Sequence, residues 1–251
     1  VDFDHKQFLG SDLAKIAGEK AGIIKPGLPA VSAIQARVCG DVIRARAAEL
    51  EAPLTMLRME DIEKVPECVA LPGTHQRYNA ALAGLAMRTL KQPAIPDSAI
   101  WKGAQSAVWP ARMQKLASGP VTAMAGDAEV WLDGGHNPHA ATAIAELLRE
   151  MGGRTVMVTA MIASKDHGGF FHAYKGVIDA VHTMPNAPGH AGADPTQLAD
   201  TARAFLPKAI AHDSLEAAIK AAADEKPDRI LIGGSLYLAG EVLEQNQQLP
   251  T

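Results

Sequence analysis

The sequence predicts an α/β protein whose second half forms a Rossmann-like, mostly parallel sheet. From residue 129 onward, short apolar runs alternate with amphipathic stretches, and glycines and capping residues mark the turns between them. Strand–helix alternation of this kind implies crossover connections and an open sheet, whose ligands gather at the carboxyl ends of the strands. The 251 residues are 47% hydrophobic and 21% charged, a globular composition that buries a core without disulfides.

The first region, residues 1–106, is less regular and is broken by prolines. Ser11 or Asp12 can cap a helix that runs to about Gly22, where Lys25-Pro26-Gly27 ends it. Residues 29–34 read as a strand, 40–50 as a helix and 54–59 as a second strand. Gly73-Thr74 opens a helix over 75–90, stopped by Lys91-Gln92-Pro93.

The second region, residues 107–251, is built of repeated strand–helix pairs. Strands are expected at 129–133, 155–160, 180–184, 209–212 and 229–232. Helices are expected at 137–151, 170–177, 194–205, 214–225 and 235–245. Asn137 serves as an N-cap with Pro138 in the first turn. The boundary between the regions falls within 98–110.

Composition excludes several classes. Cys39 and Cys68 lack zinc-ligand or CxxC spacing, so a reduced, cytoplasmic protein is expected. A net charge of −4 argues against a general nucleic-acid binder. No apolar run approaches the roughly 18 residues that cross a bilayer, so no membrane partner is expected. There is no GxG fingerprint and no Gly-Lys dipeptide, which removes the dinucleotide motif and the P-loop from this stretch. The chain opens on Val1 rather than methionine.

Five segments carry candidate chemistry, each with a plainer structural reading beside it. In Leu132-Asp133-Gly134-Gly135-His136-Asn137-Pro138 a strand ends in Asp133 and a capped helix follows. Asp133 and His136 thus stand at the ligand crevice, beside a helix N-terminus that favours anions by roughly 0.3–1 kcal/mol; a simple strand-to-helix turn explains the same letters. His75 and Asn79 lie four apart on one helix face, and the Asn amide can pair with an adenine edge or merely decorate a polar helix start. Arg112, after Trp109-Pro110-Ala111, has the planar fork suited to phosphate, or is a surface arginine. His5 is a possible metal ligand, while Lys20 near a helix end is explained by the dipole alone. Gly233-Gly234-Ser235 can cradle a carboxylate or make a short turn.

Taken in order, the stretches DHKQFLG with GEKAGIIKPG, LPGTHQRYNAALA, WPARMQ, LDGGHNPHAA and GGSLYLAGEVL resemble the folylpolyglutamate synthase and dihydrofolate synthase family, relatives of the Mur ligases. The resemblance implies that residues 1–106 are the C-terminal part of a central ATP-binding domain and 107–251 a C-terminal Mur-ligase-like domain. It further implies a monomeric enzyme that uses ATP and Mg2+ to join L-glutamate to dihydropteroate or a reduced folate through an acyl phosphate. By the same resemblance His5 is a magnesium-binding histidine, and Lys20 is the family's carbamylated lysine, catalytic and metal-linked. Asn79 contacts adenine, and Arg112 and Asp133 contact the phosphates and ribose region. His136 is catalytic on the phosphate and glutamate side, and Ser235 is a glutamate contact. Asn79 is expected on one wall of an ATP cleft, with Arg112 and Asp133 on the other.

The family's phosphate-binding loop, its other magnesium ligands and most of its pterin pocket are expected before Val1, so the chain by itself is expected to lack ligase activity. Gly135 replaces an alanine usual in the family, a change expected to leave the turn intact. Ser164-Lys165-Asp166 departs from the family's acidic pattern and receives no role. Two other functions fit the letters: a Mur-type ligase acting on a different carboxylate, and a non-catalytic nucleotide-binding module.

Overall fold

Asp12 starts the first helix of the computed structural model, which describes residues 12–90, 95–187, 189 and 191–249. The Asp12 carboxylate accepts the backbone N–H of Ala14 at 2.9 Å and caps α1 (Leu13–Ala21), whose buried Ile16, Ala17 and Ala21 face inward. Helix α2 spans Arg37–Glu49, starting three residues before the expected Gly40, because Cys39, Gly40, Ile43 and Ala47 form one buried stripe. Strands β1 (Ala30–Ser32) and β2 (Leu54–Met56) pair in parallel.

The expected strand over 54–59 is shorter than the sequence implied. The Asp61 carboxylate accepts the backbone N–H of Arg58 at 3.0 Å and turns the chain into a short helix, α3 (Met59–Glu63). Helix α4 (Thr74–Thr89) follows Gly73, whose φ of 103° only glycine adopts readily. Helix α5 (Asp97–Ser106), absent from the sequence reading, lays Trp101 against Gly84 of α4, where an added Cβ would sit 3.0 Å from the ring. Arg88 stacks over Trp101 at 5.0 Å and pairs with Asp97 at 2.8 Å.

The chain forms two compact units, residues 1–108 and 109–251. The second holds a six-stranded sheet. Its strands are β3 (Gln114–Lys115), β4 (Glu129–Asp133), β5 (Thr155–Thr159), β6 (Ala180–Thr183), β7 (Ala209–Ala211) and β8 (Arg229–Gly233), in the order β3-β4-β8-β5-β6-β7. All neighbours are parallel except β3, which lies antiparallel on the β4 edge.

Helices cover both faces, so the central strands read as continuous apolar runs. On one face Val130, Leu132, Val156, Val158, Ile230 and Ile232 meet α6 (Pro120–Met124), α10 (Leu215–Asp224) and α11 (Leu236–Gln245). On the other, Trp131, Met157, Val181 and Leu231 meet α7 (Pro138–Met151), α8 (His167–Ala173) and α9 (Pro195–Arg203). This is the doubly wound arrangement expected from the strand–helix alternation.

Helix α8 corrects the expected span of 170–177. The Asp166 carboxylate accepts the N–H of Gly169 at 2.9 Å and begins the helix at His167; the chain leaves it through Tyr174 and reaches Gly176 at φ 72°. Two glycines in the first turn hid the start.

Candidate functional site

Three connections meet at the carboxyl ends of β4 and β8: residues 109–114, the turn after Asp133, and the turn after Gly233. Gly134 donates its N–H to the Ala111 carbonyl at 2.9 Å. A Cβ placed on Gly134 would lie 2.2 Å from Leu236 Cδ2 and 3.3 Å from Arg112 Nη1, so the first residue of α11 and the Arg112 guanidinium press on this glycine together. Sequence spacing gives no hint of the Leu236 contact, because the two turns lie about a hundred residues apart.

Asp133 organises the group. It is buried, and its Oδ2 accepts the N–H of Met113 at 2.8 Å while Oδ1 accepts that of Gly135 at 2.6 Å. Burial pushes its carboxyl above the usual range, and the two amides and the nearby Arg112 charge pull it back only in part. Complete burial, with the Asp133 charge a lesser cause, drives the Tyr174 phenol well up.

The backbone around Arg112 is strained. Ala111 at φ 55° and Met113 at φ 42° are both left-handed without being glycine. Each costs of order 1 kcal/mol and persists only where the surroundings over-determine it. Here Gln114 Oε1 accepts the Ala111 N–H at 3.0 Å and Asp133 holds that of Met113. Arg112, between them, is half-buried and donates from Nη1 to the Ala111 carbonyl at 3.0 Å. Strain of this kind clusters at ligand clamps.

His136 is half-buried, with Nδ1 3.2 Å from the Gly134 carbonyl oxygen. Asn137 accepts the Ala140 N–H at 2.9 Å and caps α7, as its sequence context predicts. Ser235 stands at the carboxyl end of β8, but its buried Oγ accepts the N–H groups of Tyr237 and Leu238 at 3.2 and 3.5 Å as the cap of α11. Gly234, at φ 101°, leaves room for Thr159 Oγ1, which donates to the Gly233 carbonyl at 2.7 Å. Arg112, Asp133, His136 and Ser235 thus fall in one neighbourhood.

The remaining candidates lie in the first unit. Lys20 is exposed in the last turn of α1. Asn79 is exposed on α4 and donates from Nδ2 to Gln76 Oε1 at 3.1 Å, while Gln76 Nε2 lies 3.0 Å from His75 Nε2. The buried Gln76 therefore links His75 to Asn79, a role its position three residues before Asn79 could have signalled. Arg77 anchors α4 by donating to the carbonyls of Val65 and Pro66, both at 2.9 Å. His5 lies outside the described residues. Among the described residues no group of three or more His, Cys, Asp or Glu could hold a metal ion, and no helix is long and apolar enough to cross a membrane.

The model of the Mur ligase glutamate ligase domain matches residues 111–236, half the chain and the whole of this neighbourhood. The chain belongs to the Mur ligase family. Within that family it belongs to the folylpolyglutamate synthase and dihydrofolate synthase group. It is 30% identical to the dihydrofolate synthase/folylpolyglutamate synthase of Bacillus subtilis, a match covering 96% of this chain and 60% of that protein. The structure of Mycobacterium tuberculosis folylpolyglutamate synthase complexed with ADP and AMPPCP superposes with a TM-score of 0.85 at 25% identity, covering 100% of this chain and 63% of that one. E. coli FolC in complex with DHPP and ADP gives 0.77 at 26% identity, covering 97% and 59%. This Mur ligase chain therefore spans about 60% of the length of the relatives it matches.

Proposed function

We propose that this Mur ligase chain is the nucleotide- and glutamate-handling part of an ATP-dependent ligase that joins L-glutamate to dihydropteroate or a reduced folate. The carrying observation is the Asp133–Arg112 neighbourhood. A buried carboxylate clamps a strained segment, and that segment presents an arginine beside a helix N-terminus at the carboxyl ends of a parallel sheet.

A carboxylate is a poor electrophile, and phosphorylation by ATP supplies the leaving group that the amine of glutamate then displaces as inorganic phosphate. The protein's task is positioning and charge neutralisation. In this reading the Arg112 guanidinium steadies the transferring phosphoryl group and Asp133 fixes Arg112 while facing the ribose region. His136 orients the phosphate and glutamate side. Asn79, turned by Gln76, meets adenine. Ser235 acts through the cap it makes, which sets the α11 N-terminus near the glutamate.

The donor set suits a polyphosphate: a guanidinium beside the positive dipole end of a fourteen-residue helix. Magnesium would be held by His5 and by Lys20 as its carbamate, together with ligands beyond the described residues. Residues 1–106 correspond in this reading to the C-terminal part of the central ATP-binding domain and 107–251 to the C-terminal domain of a cytoplasmic monomer.

The test is to supply the product of the full open reading frame with ATP, Mg2+, labelled L-glutamate and either dihydropteroate or a reduced folate. Label should enter the folate only with ATP present, and Arg112→Ala should lower kcat by roughly 10³-fold. ATP-independent incorporation, or turnover with none of these acceptors, overturns the proposal.

A further inference from the structure

At the edge of the sheet farthest from β4, the buried His182 and the half-buried His212 and Glu225 form a polar chain that the proposed ligase reaction does not use. His182 on β6 is 1% exposed. Its Nε2 lies 3.0 Å from Glu225 Oε1, just past α10, and its Nδ1 lies 2.8 Å from His212 Nε2, just past β7. The Lys208 ammonium donates to Glu225 Oε1 at 2.8 Å and Arg154 Nη2 to its other oxygen at 3.3 Å; Arg154 also faces Asp179 at 3.9 Å, and Asp213 adjoins His212.

These partners fix the direction of every bond. With two cations on it, the Glu225 carboxyl is ionised, its pKa lying below the ordinary value in spite of burial. A carboxylate only accepts, so His182 Nε2 carries a proton and donates. In neutral His182 the other nitrogen, Nδ1, then accepts, and His212 Nε2 must be the donor. With both imidazoles neutral, each therefore stands in its Nε2–H form. One added proton can be shared, with His182 Nδ1–H donating to Nε2 of a His212 shifted to its Nδ1–H tautomer, but a proton on each ring sets two N–H groups face to face at the 2.8 Å that now holds a bond.

We infer that His182, His212 and Glu225 form a proton-operated clasp that fastens β7 and the end of α10 to β6, and that mildly acidic pH releases this edge ahead of the rest of the sheet. Desolvation is the main force holding both histidines below their ordinary 6.5. A histidine lowered on folding contributes stability that is complete above about 6.5 and is lost as pH falls toward the folded value. Opening the edge frees the histidines to bind protons, so opening becomes up to about tenfold easier per pH unit in that window for each proton taken up.

The test follows imidazole nitrogen signals and amide hydrogen exchange of the 251-residue chain between pH 8 and 5, with exchange corrected for its intrinsic pH dependence. His182 should remain an Nε2–H tautomer below pH 6.5. Protection should fall about tenfold per pH unit at Val181 and His212, whose amides bond across β6 and β7, and should hold at Ile230 and Ile232 on β8. His182→Gln should flatten that pH dependence. Titration of His182 at 6.5 or above overturns the clasp, and so does equal loss of protection at β8. Should His182→Gln fail to fold, the wild-type titration decides alone.

Discussion

Asp133 shows how one side chain can serve both a fold and a site. Its two oxygens satisfy two backbone N–H groups from different segments, so it locks the Arg112 segment to the start of the β4–α7 turn. Yet burial leaves its ionised form only partly compensated, as is common where a ligand or a neighbouring cation completes the site. Replacement by asparagine keeps the shape but offers a single acceptor oxygen, leaving one amide facing an NH2 group. An unsatisfied buried donor costs roughly 1–3 kcal/mol, so Asp133→Asn should lose about that much stability at pH 7 in chemical denaturation. The pH dependence distinguishes this from a generic defect. A carboxyl whose pKa is raised on folding contributes stability that is full below its ordinary 3.8 and is lost as pH rises through the folded value. The wild type therefore gains relative to the variant as pH is lowered toward 4, and the gap widens. A constant or shrinking gap would show that ionised Asp133 is fully compensated.

At the level of elements, the strand–turn–helix units explain why much of this fold is legible in the letters. Asn137, Asp194, Ser214 and Ser235 are capping residues in the sequence and caps in the structure, because a side-chain oxygen two or three residues before an amide is a local matter. Helix α5 escaped notice because it buries no residue of its own and is held by Trp101 and Arg88 contacts formed only in the fold. The crowding around Gly135 escaped for a related reason: its neighbours are set by packing. A Cβ there would come 2.9 Å from both Asp133 Oδ1 and Ile144 Cδ1, and 3.1 Å from Ala140 Cβ. An alanine does not fit this surrounding unless Ile144 gives way. Gly135→Ala is therefore expected to destabilise by about 1–3 kcal/mol through overpacking. Adding Ile144→Val removes the offending methyl, and the double variant should recover part of that loss, read as a favourable coupling in a double-mutant cycle. Simple additivity would mean that the crowding at Asp133, not at Ile144, decides the cost.

Across the whole molecule, stability is distributed unevenly between two separately cored units. The second unit covers both faces of a six-stranded sheet with large apolar clusters. Among the described residues the first has two clusters of five buried residues each, around Ile43 and around Leu85. The same unevenness governs what the sequence revealed of the site. Asp133 and His136 lie on or beside regular elements whose ends can be located from patterning, whereas Arg112 sits in a strained segment before the two-residue β3, which patterning does not locate, and the linkage of His75 and Asn79 through Gln76 depends on rotamers that patterning leaves open. Between the units, Val108 is 88% exposed and Trp109 64%, and protease nicking favours exposed connections of low local stability. Limited elastase digestion should therefore cut first after Ala107 or Val108 and leave residues 108 or 109 to the C-terminal end as a long-lived fragment, identified by mass. That fragment should unfold in one cooperative transition, since every strand of its sheet and both covering layers lie within it. A first cut inside β4, β5 or β8, or a fragment that melts without cooperativity, would mean that the second unit depends on residues before 109 for its core.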